Sequence, residues 1–214
     1  LLASRDVVSG INWVEENQED ENIAKDAEKA KKKVAGTEGM GKRLGIIGLG
    51  AIGVKVANVA RHLGMEVLGY DPYVSVDAAW KLSRDVRHVL DVNEIYEQCD
   101  YITIHVPLMD STKNMISAEA ISRMKDGVIL LNVGRGMIVD TDALCAALEN
   151  GKLAGAGVDV TDPEPLPADH PLWKMENAVI TPHISGGYHL QETHDRIVRI
   201  MAEKLKRFLA GGEP

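Results

Sequence analysis

Cysteine is scarce in this 214-residue chain: Cys99 and Cys145 stand alone, in no CxxC and near no histidine cluster. That spacing excludes a disulfide framework and offers no metal-ligand set, so a reduced protein without a metal is expected. Basic residues are also short. The 24 Lys and Arg against 32 Asp and Glu leave a net charge of -8, which argues against nucleic acid as a partner because phosphate binding needs a basic face. A small anionic substrate remains compatible, since one local arginine can hold it. No apolar run approaches the roughly 18 residues of a membrane-spanning helix, and no basic stretch with a cleavage site opens the chain. The expectation is a cytoplasmic protein with no membrane partner. Repeats of solenoid length and low-complexity blocks are missing as well.

What is present changes character along the chain. Residues 1–14 carry apolar side chains at roughly helical spacing, interrupted by Gly10, and predict a helix packed against something large. That pattern is already under way at Leu1, which suggests a piece cut from a longer polypeptide. Residues 15–33 bring acidic residues and then Lys29, Lys31, Lys32 and Lys33, with hardly any core-forming side chains. They read as a solvated arm, either an exposed helix or loop or a subunit contact. Beyond Gly41, short apolar runs at 44–48, 67–70, 101–106, 128–133, 156–160 and 178–181 alternate with helical periodicity at 52–63, 92–98, 117–125 and 140–150. Near-continuous apolar strands separated by helices predict an α/β fold, a doubly wound parallel sheet of the Rossmann type covered on both faces. One long amphipathic helix at about 190–209 closes the chain, with Ile197, Ile200, Met201, Leu205 and Phe208 along one stripe.

Gly48, Gly50 and Gly53 form a GxGxxG between the first of these strands and a helix. Alone this pattern is weak; strand before and helix after make it a dinucleotide turn. The first glycine serves the tight bend, the second the approach of a pyrophosphate, and the third close helix–strand packing. Asp71 ends the next strand, 18 residues beyond Gly53. A carboxylate there accepts hydrogen bonds from the adenine ribose and repels a 2′-phosphate, which favours NAD over NADP.

Reducing a ketone with NADH requires a proton donor of near-neutral pKa and a cation that grips the substrate. His183, in TPHISGG after a strand, suits the first task. Glu164, in DPEP, could reach an imidazole and favour its protonated form. Arg135, in NVGRG, has the planar fork that suits a carboxylate and the neighbouring carbonyl. Each is ambiguous singly, as a capping or solvated residue; all three follow strands of one predicted sheet.

With these motifs in order, the chain resembles the D-isomer-specific 2-hydroxyacid dehydrogenases, the family that includes D-3-phosphoglycerate dehydrogenases. The resemblance rests on GLGAIG at 48–53, YDP at 70–72, HVPL at 105–108, NVGRG at 132–136, and DVTDPEPLP followed by TPHISGG. It implies an NAD-dependent oxidoreductase acting on a D-2-hydroxyacid or 2-keto acid, 3-phosphoglycerate being one candidate. Arg135 is then the substrate-carboxylate arginine, Glu164 the partner of the histidine, and His183 the acid/base. Asp159 is assigned to the nicotinamide carboxamide, and His105, Val106 and Pro107 to the strand and loop lining the cofactor. The full cofactor-binding set is Gly48, Gly50, Ala51, Ile52, Gly53, Asp71, His105, Val106, Pro107, Val133, Gly134, Arg135, Asp159, His183 and Gly186.

The resemblance also implies an organisation: residues 1–38 as interdomain helix and charged arm, 39–186 as the NAD-binding Rossmann domain, and 187–214 as a helix returning toward a substrate domain that this chain lacks. A homodimer through the Rossmann domain and arm is expected, with little turnover from the cofactor half alone. The front part looks most like bacterial phosphoglycerate dehydrogenases, whereas NVGRG through DPEPLPADHPLW looks more like general 2-hydroxyacid dehydrogenases. The alternative is an NAD(H)-sensing module like the corepressors that share this fold.

Overall fold

A computed structural model describes residues 1–187 and 189–212. In chain order the elements are α1 (Val7–Asn17), α2 (Ile23–Lys33), β1 (Arg43–Ile47), α3 (Gly53–His62), β2 (Glu66–Tyr70), α4 (Val76–Lys81), β3 (Arg87–His88), α5 (Val92–Gln98), β4 (Tyr101–Ile104), α6 (Ala118–Arg123), β5 (Val128–Asn132), α7 (Thr141–Glu149), β6 (Leu153–Val158), β7 (Ala178–Ile180) and α8 (Gln191–Leu209). Residues Leu1–Thr181 form one compact unit and the chain from Pro182 onward a second.

Inside the first unit the seven strands make one sheet, ordered β3-β2-β1-β4-β5-β6-β7. Every pairing in it is parallel. The chain steps outward from β1 to β2 and β3, then returns to place β4 on the other side of β1. That reversal puts a crevice beyond the carboxyl ends of β1 and β4, the place where open α/β sheets bind ligands.

Alternation along the strands sends neighbouring side chains into different layers. Ile46 packs with Leu44, Val67 and the α3 residues Val54, Ala57 and Ala60. Ile47 packs on the opposite face with Ile95, Ile102, Ile104, Leu130 and Leu144, under α5, α6 and α7. Both faces are therefore covered, as the near-continuous apolar strands required. Among the described residues four α-helices start on a side-chain cap: Ser75, Asp91, Ser117 and Asp140 each accept a backbone N–H from the first turn of α4, α5, α6 and α7. Each such cap contributes about 1 kcal/mol. Cys99 and Cys145 are free and buried; burial pushes the Cys99 thiol up to about 12, so it stays protonated among the core side chains.

The amino-terminal segment departs from its pattern. The helix expected from Leu1 begins only at Val7, and Ser4 lies buried before it. Its carbonyl accepts the Thr37 N–H at 2.6 Å, while the Thr37 hydroxyl meets the Tyr101 phenol at 3.0 Å. This contact spends residues 1–6 on a turn instead of helix. The charged stretch 15–33 includes the exposed helix α2, whose one buried residue is Ala30. In the second unit α8 spans 19 residues, none of them buried. Among the described residues no helix is long and apolar enough to cross a membrane.

Candidate functional site

The chain leaves β1 through Gly48, which has a φ of 100° that L side chains rarely adopt. A Cβ on Gly48 would stand 2.7 Å from the His105 backbone, so this residue also lets the ends of β1 and β4 close together. At Gly53 a Cβ would come within 1.9 Å of the Gly48 carbonyl oxygen, which is why α3 can begin directly against the strand end. Gly50 differs: a Cβ there would meet nothing within 4 Å. The backbone at Gly50 faces open space at the positive end of the α3 dipole, a cradle suited to a pyrophosphate. Leu49 is fully buried, while Ala51 and Ile52 are exposed beside the cradle.

Asp71, directly after β2, fastens this turn. Its Oδ2 accepts the Leu49 N–H at 2.8 Å and its Oδ1 accepts the Tyr73 N–H at 2.8 Å. The carboxylate expected to face a ribose is thus held at the rim of the glycine turn by backbone donors. Across the crevice, the His105 N–H donates to the Ile47 carbonyl at 2.7 Å and extends the β1–β4 ladder by one residue. Its Nε2 lies 3.0 Å from the Thr103 hydroxyl, and burial pushes the imidazole below its ordinary value, so it is neutral near pH 7. Val106 packs partly buried against the core, and the Pro107 carbonyl accepts the Thr112 hydroxyl at 2.7 Å.

The next strand ends place the remaining candidates. Asn132, fully buried at the end of β5, accepts the Gly134 N–H at 3.1 Å and donates to the Arg135 carbonyl at 2.9 Å. One amide side chain therefore brackets the turn Val133–Gly134–Arg135 from both sides, and the Arg135 side chain projects exposed, with Nη1 on the Gly134 carbonyl. A Cβ at Gly136 would lie 2.0 Å from the Thr161 carbonyl oxygen, and the Thr141 hydroxyl donates to the Asp162 carbonyl at 3.0 Å. The turn bearing Arg135 thus passes directly against the loop bearing the exposed Glu164, to which the first residue of α7 is bonded. Asp159, past the end of β6, is 4% exposed. Its N–H donates to the Asn132 carbonyl at 3.0 Å, and its Oδ1 accepts the Thr181 hydroxyl at 2.5 Å.

His183 and Gly186 belong to the second unit. His183 is half-buried, with a left-handed φ of 55°, and Gly186 is exposed. The structure thus brings the glycine turn, Asp71 and His105 together at the switch point, and Arg135, Asp159 and the Glu164 loop together at the β5 and β6 ends. Reading the sequence missed Asn132 and Thr181, although both lie in its quoted motifs. The available signal was a polar residue ending an apolar strand, where a buried side chain must find local partners.

The sequence model of the family described as "D-isomer specific 2-hydroxyacid dehydrogenase, NAD binding domain" matches residues 2–185. A D-3-phosphoglycerate dehydrogenase of Methanocaldococcus jannaschii is 40% identical over 181 residues, covering 85% of this chain and 34% of that protein. A glyoxylate reductase of Korarchaeum cryptofilum is 42% identical over 174 residues, 81% of this chain and 51% of that one. Among solved structures, an NAD-dependent formate dehydrogenase from Staphylococcus aureus in complex with NAD has a TM-score of 0.74 at 32% identity, covering 100% of this chain and 60% of that one. The chain spans between a third and about half of the length of these two curated relatives.

Proposed function

Because the chain belongs to the D-isomer-specific 2-hydroxyacid dehydrogenase family, matching its NAD-binding domain, we propose that it serves hydride transfer between NAD(H) and a D-2-hydroxyacid or 2-keto acid. The observation that carries this reading is the open cradle over Gly50, at the β1–β4 switch point, with Asp71 fastened to its rim. Gly48, Gly50, Ala51, Ile52 and Gly53 would hold the pyrophosphate, Asp71 the adenine ribose, and His105, Val106, Pro107, Val133, Gly134, Asp159 and Gly186 the remaining length of the dinucleotide. When bound, the nicotinamide supplies or accepts the hydride.

The chain's own residues supply the rest. Arg135 grips the substrate carboxylate and polarises the adjacent carbonyl through its fork of N–H donors. His183 gives a proton to the ketone oxygen, or takes one from the alcohol in the reverse direction, with Glu164 as the partner of the histidine. In this reading residues 39–186 are the NAD-binding part, 1–38 an interdomain helix and charged arm, and 187–214 a helix returning toward a substrate domain. A homodimer through the Rossmann part and the arm fits the apolar surface of Leu1, Val56, Val59 and Leu63 beside α3, and sedimentation checks it. The substrate is a small D-2-hydroxyacid such as 3-phosphoglycerate, or a 2-keto acid such as glyoxylate or hydroxypyruvate. The named curated relatives, a dehydrogenase and a reductase, favour this reading over an NAD(H)-sensing module.

Calorimetric titration with NADH and NADPH tests the cofactor part: NADH should bind at least about 10-fold tighter, a difference of about 1.4 kcal/mol. Equal affinities, or none, would remove Gly50 and Asp71 from their roles. In a preparation that reduces a 2-keto acid, His183→Ala should lower kcat by about 100-fold or more; an unimpaired variant removes His183 from the chemistry.

A further inference from the structure

The carboxyl ends of β5, β6 and β7 carry a rank of three polar residues, Asn132, Asp159 and Thr181. The sheet register sets them side by side: Asn132 is paired with Val158 and Val158 with Ile180, so Asp159 and Thr181 are the first residues beyond their strands. The Asp159 N–H reaches the Asn132 carbonyl at 3.0 Å and the Thr181 N–H reaches the Val158 carbonyl at 3.0 Å, so both backbones still obey the ladder. On this frame the Thr181 hydroxyl donates to Asp159 Oδ1 at 2.5 Å. We propose that Thr181 is a positioning residue for cofactor binding, holding the Asp159 carboxylate in the orientation that receives the carboxamide of the nicotinamide ring. The proposal rests on the NAD reading of the site given above.

Asp159 is 4% exposed, and burying a polar side chain at that depth costs free energy unless donors face it. A hydroxyl donating to a carboxylate oxygen at this distance is a charge-assisted bond, shorter and stronger than a neutral one. With Oδ1 held, the carboxylate can no longer rotate freely about its terminal torsion, which is broad when unconstrained. An aspartate is an acceptor only, and the carboxamide NH2 is the donor in the nicotinamide half. An acceptor fixed before the ligand arrives loses less entropy on binding than one that must be oriented.

Thr181 suits this task for two reasons. Its β-branched side chain has few χ1 choices, and the following Pro182 restricts its backbone to the extended region. The hydroxyl is therefore placed by local stereochemistry rather than by distant packing.

The experiment compares two ligands that differ in the nicotinamide ring. NADH carries it; ADP-ribose contains the adenosine and pyrophosphate but lacks the ring. Kd values for both are measured by calorimetry on the wild-type chain and on Thr181→Val, Thr181→Ala and Thr181→Ser. Thr181→Val and Thr181→Ala, which remove the hydroxyl, should weaken NADH about 10-fold and leave ADP-ribose within about twofold. Thr181→Ser, which restores a hydroxyl, should recover most of the NADH affinity. If the hydroxyl-free variants bind NADH as tightly as wild type, the positioning role is wrong. Parallel loss of both ligands would make Thr181 a structural residue and would overturn the proposal equally. Should Thr181→Val fail to fold because its methyl crowds the buried carboxylate, the smaller Thr181→Ala decides. A wild-type chain that binds neither ligand would overturn the NAD reading itself, a result distinct from loss of selectivity in the variants.

Discussion

At Gly53 an added methyl would lie 1.9 Å from the Gly48 carbonyl oxygen, whereas at Gly50 it would meet nothing within 4 Å. The same substitution should therefore act on different properties at two positions three residues apart. Gly53→Ala forces α3 away from the strand end and should lower stability in urea unfolding by about 1–3 kcal/mol, the usual range for overpacking. Gly50→Ala places its methyl in the cradle. It should leave the urea midpoint close to wild type while weakening NADH at least about 10-fold, about 1.4 kcal/mol, in calorimetry. Loss of stability at Gly50, or wild-type affinity, would contradict a ligand-facing position. The separate jobs of these glycines were legible because each demand is local to a strand–turn–helix. The second contact of Asp71, to the Leu49 N–H, was not, since it joins residues 22 positions apart. Asn132 likewise stands inside a readable motif, yet its bracket around Gly134 and Arg135 depends on burial, which a motif does not encode.

At the scale of elements, periodicity reported what a buried face reports. The strands β1, β4 and β5 were readable as near-continuous apolar runs, buried on both faces, and helices α3 and α7 because each presents apolar residues at a period of 3.6 to a core. β3 is two exposed residues, Arg87 and His88, and α4 has no buried residue, so neither writes a pattern. The amino-terminal arm shows the opposite error, an apolar spacing at residues 1–6 used for a turn. That turn docks through a clip. Gly36, at a φ of 61°, passes so close to residue 4 that a Cβ would lie 2.3 Å from the Ser4 carbonyl oxygen, and Thr37 then bonds that same oxygen. Gly36→Val should break the clip through backbone strain and steric conflict together. Trypsin should then cut the lysine-rich α2 about 10-fold faster, as expected if local opening becomes about 1.4 kcal/mol easier, while the part beyond Met40 remains intact. Unchanged cleavage would show that the arm is held by contacts other than this clip.

For the molecule as a whole, the parallel sheet and its two covered faces followed from the alternation of strands and helices, but the strand order and the surroundings of α8 did not. Its stripe of Ile197, Ile200, Met201, Leu205 and Phe208 is amphipathic, and a stripe states only that some apolar surface is wanted, never which. Each of these side chains is exposed, whereas Ile46, Ile47, Ile102, Ile104 and Leu130 of the sheet are fully buried. Most helical stability in proteins comes from packing an apolar face, so a 19-residue helix with no buried residue depends largely on its own hydrogen bonds. Native-state hydrogen exchange should separate the two regions. Amides of β1, β4 and β5 should exchange near the global unfolding limit, and those of α8 at least about 100-fold faster, about 2.7 kcal/mol less protected. Adding NADH should slow exchange at residues 48–54 and leave α8 unchanged. If α8 instead matched the central strands, its stripe must be covered in solution. Protection that rose with protein concentration would identify the cover as a second copy of the chain.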